Sequence, residues 1–160
     1  MVKIADMDPK LKRFMRDYPW RRLDSIAPAH RVKDLAECRV ALVSSAGMVG
    51  PGQEPYDPEI KGGDWSWRLI PGDIDVRRLT EHHRSDSWSR GGIEADRNMG
   101  VPIDRLRELV HAGVIGEVAP RHISVMGSIT ATGRFIRKTV PEIVGVMTAD
   151  EVDIALMVPV

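Results

Sequence analysis

The stretch Val152-Asp153-Ile154-Ala155-Leu156-Met157-Val158-Pro159-Val160 most constrains what this chain can fold into. Val152, Ile154, Leu156 and Val158 alternate along it, while Ala155 and Met157 make the opposite face apolar as well. A strand apolar on both faces belongs in the interior of a parallel sheet covered by helices on each side. Functional groups in such sheets gather beyond the carboxyl ends of the strands, and the sequence stops there, at Val160.

The remaining segments agree with that architecture. Arg39–Ser45 is the clearest first strand and runs directly into the glycine-rich Ala46–Gly52. This turn matches neither GxGxxG nor GxxxxGK[ST], and Pro51 removes a backbone donor, so it reads as a loop at the functional edge rather than a phosphate cradle. Gly62–Pro71 is a short aromatic strand whose two tryptophans cover the core, with Asp64 and Arg68 spaced to pair. Pro102–His111 predicts a helix with Ile103, Leu106, Leu109 and Val110 on its apolar face. Gly116–Gly127 predicts a turn and a short strand with His122, Ser124 and Met126 on one face. A second helix is predicted over Gly133–Thr148, with Phe135, Ile136, Val140, Ile143, Val144 and Met147 buried and a kink or restart at Pro141.

Alternating strands and helices without a repeat specify an α/β domain over residues 37–160: three layers, a mostly parallel sheet with flanking helices, Rossmann-like or flavodoxin-like. Residues 1–36 form a basic, aromatic N-terminal helical extension packed on that domain. Its helix carries Leu11, Phe14, Met15 and Tyr18 at helical spacing and ends before Pro19.

Charge narrows the possible partners. Lys plus Arg equals Asp plus Glu at 23 each, so no global field favours nucleic acid or an anionic membrane. No apolar run approaches the ~20 residues of a membrane span, and the charged start lacks a signal-peptide core. The single cysteine, Cys38, excludes an intrachain disulfide and suits a reducing cytoplasm.

Polar chemistry concentrates in residues 72–101. Glu81-His82-His83-Arg84-Ser85-Asp86 sets two imidazoles between carboxylates. Adjacent histidines diverge on a strand and HExxH spacing is missing, so no metal is expected. Glu81, His83 and Asp86 instead suit a base with its orienting acid. Asp96 and Asn98 suit a cap or brace for the following helix. Arg121 and His122, beside a sheet edge, suit either a bound carboxylate or a structural hydrogen-bond role.

The blocks RVALVSSAGMV, GDWSWRLIP, HHRSD, EADRNMGVPIDRLREL, GVIGEVAPRHISVMG and the closing VDIALMVPV occur in this order. Together, over about Arg39 to Val160, they resemble the glycine/sarcosine/betaine/D-proline reductase selenoprotein B family. The resemblance implies an oxidoreductase subunit for dithiol-dependent reductive cleavage of a C–N bond in glycine, sarcosine, betaine, D-proline or a related amine. It implies a selenocysteine or cysteine nucleophile, which works as a soft anion. It also implies electrons from a dithiol or thioredoxin-type donor through partner subunits, with a pyruvoyl group on a separate subunit in several members. By the same resemblance, His83 and Asp86 are candidate proton-transfer or positioning groups for the leaving amine. Arg121 and His122 are candidates to hold the substrate carboxylate, and Asp64, Arg68, Asp96 and Asn98 to shape the site.

One departure matters. The family's Sec/Cys redox motif follows a strand like ALMVPV, whereas Cys38 precedes the first strand and matches no such motif. The chain as written is therefore expected to be inactive alone, with no cofactor of its own. Three explanations stay open: truncation at a selenocysteine codon just after Val160, a split subunit, or a non-catalytic paralogue binding a carboxylate ligand or another subunit.

Overall fold

The computed structural model describes residues 7–19, 25, 27, 29–85 and 90–160. The chain divides into two compact units, Met1–His30 and Arg31–Val160. The first contains helix α1 (Pro9–Asp17). Asp8 caps it, its carboxylate accepting from the N–H of Lys10 at 2.8 Å and of Leu11 at 3.4 Å. Pro9 occupies the start of the helix, where a missing N–H leaves nothing unsatisfied. The helix gives way at Tyr18, extended as the residue before a proline must be.

The second unit is α/β. Its strands are β1 (Arg39–Ser44), β2 (Met48–Val49), β3 (Trp67–Pro71), β4 (Thr80–Glu81), β5 (Glu117–Val118), β6 (Arg121–Val125) and β7 (Ile154–Val158). Its helices are α2 (Arg90–Ala95), α3 (Ile103–His111), the single turn α4 (Thr132–Arg134) and α5 (Val140–Ala149). β1 lies at the centre of the main sheet. β7 pairs with it in parallel along its length, from Val40 opposite Ile154 to Ser44 opposite Val158. On the other side β5 and β6 follow one another, also parallel, and β3 is added antiparallel outside β6. β2 and β4 form a separate antiparallel pair.

Three layers result. On one face Val40, Leu42 and Ile70 of the sheet pack with Ile103 and Leu106 of α3. On the other, Ile123, Val125 and Val43 pack with Ile143, Val146 and Met147 of α5. Val40, Ala41, Leu42 and Ser44 are all buried, as a central parallel strand requires. Leu109, predicted on the buried face of α3, is instead exposed.

The β5–β6 side carries a defect that the sequence pattern does not announce. Val40 faces Val118 and Val43 faces Ile123, so three steps along β1 are matched by five on its neighbour. Ala119 and Pro120 occupy the break. Proline has no N–H for a ladder and marks such interruptions. Beside the break the N–H of Leu42 donates to Nδ1 of His122 at 3.1 Å. A side chain thus supplies the acceptor for a main-chain donor in the dry centre of the sheet, where an unsatisfied N–H costs about 1–3 kcal/mol. His122 is fully buried.

Two expectations for the last elements are corrected. β7 is an edge strand, not a central one: among the described strands it pairs with β1 only. Ile154 and Val158 pack on the α3-side core, but Leu156 and Met157 are exposed. The long helix also does not bury one continuous apolar side. Ile143 is buried, whereas Ile136, Val140 and Val144, at four-residue spacing, are exposed. Between α4 and α5 the backbone opens into a π-helical turn at Phe135–Thr139. Pro141, in the first turn of α5, cannot donate to the preceding turn, and the wider turn rotates the faces on either side of it.

Burial pushes the His122 imidazole down to about 4, so the ring is neutral in the folded protein and protonates first in the unfolded chain. Its stabilising contribution is complete above about pH 6.5 and diminishes as pH falls toward that depressed value, by about 3 kcal/mol in all. His122→Asn, which keeps an acceptor but does not titrate, is expected to flatten this dependence. Urea denaturation of both proteins between pH 7 and pH 4 measures it, and parallel profiles would contradict it.

Candidate functional site

The carboxyl ends of β1, β6 and β7 converge on one edge, tied together by the chain just beyond them. Ser45 N–H donates to Val158 O at 3.1 Å, and Val160 N–H donates to Ser45 Oγ at 2.9 Å. Gly47 N–H donates to Val125 O at 3.0 Å. The glycine-rich turn thus forms a loop at the sheet edge, and its short strand β2 receives β4 with Met48 opposite Glu81. That pairing carries His82 and His83 across the edge. His82 N–H donates to Gly47 O at 3.0 Å. Gly47 has φ of +65°, and a Cβ there would lie 3.1 Å from His83 N, so glycine satisfies both the conformation and the close approach.

His83 is buried at this edge. Its Nδ1 accepts from Ser85 N–H at 3.1 Å, which leaves the proton of the neutral ring on Nε2. Burial lowers its pKa below the ordinary imidazole value; Glu81 opposes the shift and Arg90 assists it. Glu81 does not orient the ring. It accepts from the His83 main-chain N–H and meets Arg90 Nε at 3.5 Å, while Arg90 also donates to His83 O at 3.1 Å. Nε2 points at Gly127. A Cβ on Gly127 would lie 2.9 Å from it, 3.0 Å from Ser45 O and 3.3 Å from Val160 O. The imidazole and two main-chain oxygens therefore pack closely on Gly127, where there is no room for a side chain.

An open cleft of about 390 Å³ adjoins His83, walled by Tyr56, Glu81, Arg84 and Arg90 among others. Tyr56 is fixed by its hydroxyl, which donates to Ser124 O at 2.7 Å, and by Arg68, whose guanidinium lies 4.3 Å above the ring. Burial pushes the Tyr56 phenol up to about 12, so it remains a neutral donor.

The other predicted residues are distributed over the unit. Asp64 accepts from Asp57 N–H at 2.9 Å and Ser66 N–H at 2.8 Å. Burial pushes its carboxyl up, but these bonds outweigh it and hold it below the usual range. Arg68 donates to Glu54 O and Pro55 O at 2.7 and 3.0 Å, and to Ser66 Oγ at 2.9 Å. Both residues brace the loop behind the cleft instead of bonding each other. Asp96 accepts from Asn98 N–H at 2.9 Å, and Asn98 Oδ1 accepts from Asp104 N–H at 3.1 Å, holding the start of α3. Arg121 and His122 begin β6, at the opposite end of that strand from Gly127. Arg121 makes two bonds to Asp150, at 2.8 and 2.5 Å. Neither stands with His83. Asp86 lies outside the described residues. Cys38 is fully buried at the amino end of β1, its Sγ 3.2 Å from Asp34 O. Among the described residues no three His, Cys, Asp or Glu gather to hold a metal, and no helix is long and apolar enough to cross a membrane.

Sequence reasoning missed Ser45, Tyr56, Arg84, Arg90 and Gly127. The available signal was positional: Ser45 directly follows β1 and Gly127 lies two residues past β6, where a parallel sheet places its ligands.

Comparison with known proteins places this edge in context. Residues 5–159 match the family model described as glycine/sarcosine/betaine reductase selenoprotein B. The chain belongs to this family. Among its relatives, the D-proline reductase subunit gamma of Acetoanaerobium sticklandii is 33% identical over 125 residues, covering 78% of this chain and 50% of that protein. The sarcosine reductase complex component B subunit beta of Peptoclostridium acidaminophilum is 30% identical over 129 residues, covering 76% and 28%. The glycine reductase complex component B subunit gamma of the same organism is 26% identical over 163 residues, covering 96% and 35%. The chain thus spans half or less of the length of these relatives. No solved structure matches it.

Gly127→Ala is expected to displace the His83 ring, open it to solvent and move its pKa upward toward the ordinary value. Histidine NMR titration of the two proteins checks this, and an unmoved His83 resonance would remove Gly127 from the site.

Proposed function

We propose that this chain is the substrate-side portion of a reductase subunit that acts in dithiol-dependent cleavage of the C–N bond at the α-carbon of glycine, sarcosine, betaine, D-proline or a related amine. One observation carries the reading: in a member of this family, a buried neutral His83 is held at the carboxyl edge of the parallel strands, packed against Gly127 and lining the adjoining cleft. The reaction breaks C–N and forms C–H. Two electrons and two protons leave the dithiol, which becomes a disulfide; one proton goes to carbon and one to the departing amine.

His83 serves as a proton-transfer or positioning group for that amine, its tautomer fixed by Ser85 N–H. Asp86 shares this role in the proposal. Cys38 does not fit the nucleophile, because it is buried, bonded to Asp34 O and set at the opposite end of β1. The selenocysteine or cysteine is supplied from elsewhere, and this chain does not turn over substrate alone. Other reductase subunits, one of them with a pyruvoyl group, and a thioredoxin-type donor are the proposed partners, in the cytoplasm. A second reading, a subunit-interaction module without catalysis, is favoured by the exposed apolar residues Ile136, Val140, Val144 and Met157.

The test is amine release from glycine, sarcosine, betaine and D-proline, with a dithiol as reductant, by the complex assembled around this chain. His83→Gln is expected to lower kcat at least about tenfold, since positioned proton transfer contributes about 10²–10⁴ in rate. Unchanged kcat removes His83 from the mechanism. An assembled complex that releases no amine from any of the four, yet forms stably, favours the interaction module.

A further inference from the structure

We infer that the cleft beside His83 binds a carboxylate, and that Arg84 is the residue that holds it. The inference rests on the reductase reading for the identity of the ligand, and on the cleft itself for the place of its carboxylate. Arg84 and Arg90 put two guanidinium groups on the walls of the roughly 390 Å³ cleft, with the imidazoles of His82 and His83 beside them. The one carboxylate among the described lining residues, Glu81, is engaged from within: it accepts from His83 N–H and pairs with Arg90.

The engagement of the arginines decides between them. Arg121 is closed onto Asp150 by two bonds. Arg107 is spread over Asp104, Gly72 O and Ile74 O, and Arg68 over carbonyls of the loop it braces. Among the described residues Arg84 makes one hydrogen bond, from Nη1 to Ile60 O at 3.2 Å, and it is exposed on the lining of the cleft. A guanidinium carries five N–H donors in a fork that matches a carboxylate, so Arg84 has donors beyond that bond to offer a ligand. A small amino acid or betaine set there places its carboxylate on Arg84 and its nitrogen-bearing carbon toward the interior.

The test is calorimetric titration of the chain with D-proline and betaine, and with their carboxylate-free counterparts pyrrolidine and tetramethylammonium. Wild type is expected to bind one of the acids and to bind its counterpart at least about tenfold more weakly, as loss of a charge-assisted pair implies. Arg84→Ala is expected to raise Kd for the acid at least tenfold without changing Kd for the counterpart, and Arg84→Lys to recover part of the loss. The inference is overturned if wild type binds neither acid, if acid and counterpart bind alike, or if Arg121→Ala weakens binding while Arg84→Ala does not. Binding that follows Arg84 in a complex that forms but releases no amine would overturn the reductase reading and leave the carboxylate site standing.

Discussion

The bond from Leu42 N–H to the His122 ring is the interaction on which the arrangement of this sheet depends. A central strand needs every main-chain donor satisfied, because no water reaches it. The two extra residues at Ala119-Pro120 break the ladder between β1 and its neighbour beside Leu42. The His122 ring fills the gap from within the core, and the strand resumes in register as β6. Beyond that point Ser44 and Ser124 run side by side to the carboxyl edge; the chain leading to Gly127 starts from there, and the β2–β4 pair brings in His83. His122, for which the sequence leaves a bound carboxylate and a structural hydrogen bond equally open, makes a structural bond in the frame that positions the site.

The edge itself is organised by main-chain geometry more than by side chains. Ser45, Gly47 and Val160 bond across the strand ends, and glycines at 47 and 127 allow the His83 segment to approach them closely. The effect is a dry, preorganised imidazole N–H beside an open, positively charged cleft. Such an environment strengthens any hydrogen bond that a bound group makes to His83, because competing water is excluded.

Much of this fold was legible in the residues. An uninterrupted apolar run marks β1, alternation marks β6, a proline and a stop glycine bracket α3, and the ordered family blocks point to the same family as the comparisons. Less legible was anything decided by a partner distant in sequence. Val152–Val160 reads as a central strand and lies at an edge, because apolarity on both faces does not say how many neighbours a strand has. Pro141 signalled a disturbance in the helix, but which residues would turn outward depends on the π-helical turn. At the site, the paired histidines drew attention to residues 81–86, yet the ring that faces the cleft and its tautomer follow from Ser85, Gly47 and Gly127. Arg121 and Arg84 look alike in sequence; Asp150, 29 residues away, separates them.

The edge strand β7 has a consequence for how the protein behaves in concentrated solution. Its outer side offers main-chain donors and acceptors in a straight row, flanked by the exposed side chains of Leu156 and Met157. Edges of this kind accept further strands, from the same protein or another, unless charge or proline blocks them. The charged residues nearby, Asp150, Glu151 and Asp153, all precede the strand, and Pro159 follows it, so the five residues between carry no gatekeeper. The colloidal stability of this polypeptide is therefore governed by what covers one strand about 17 Å long.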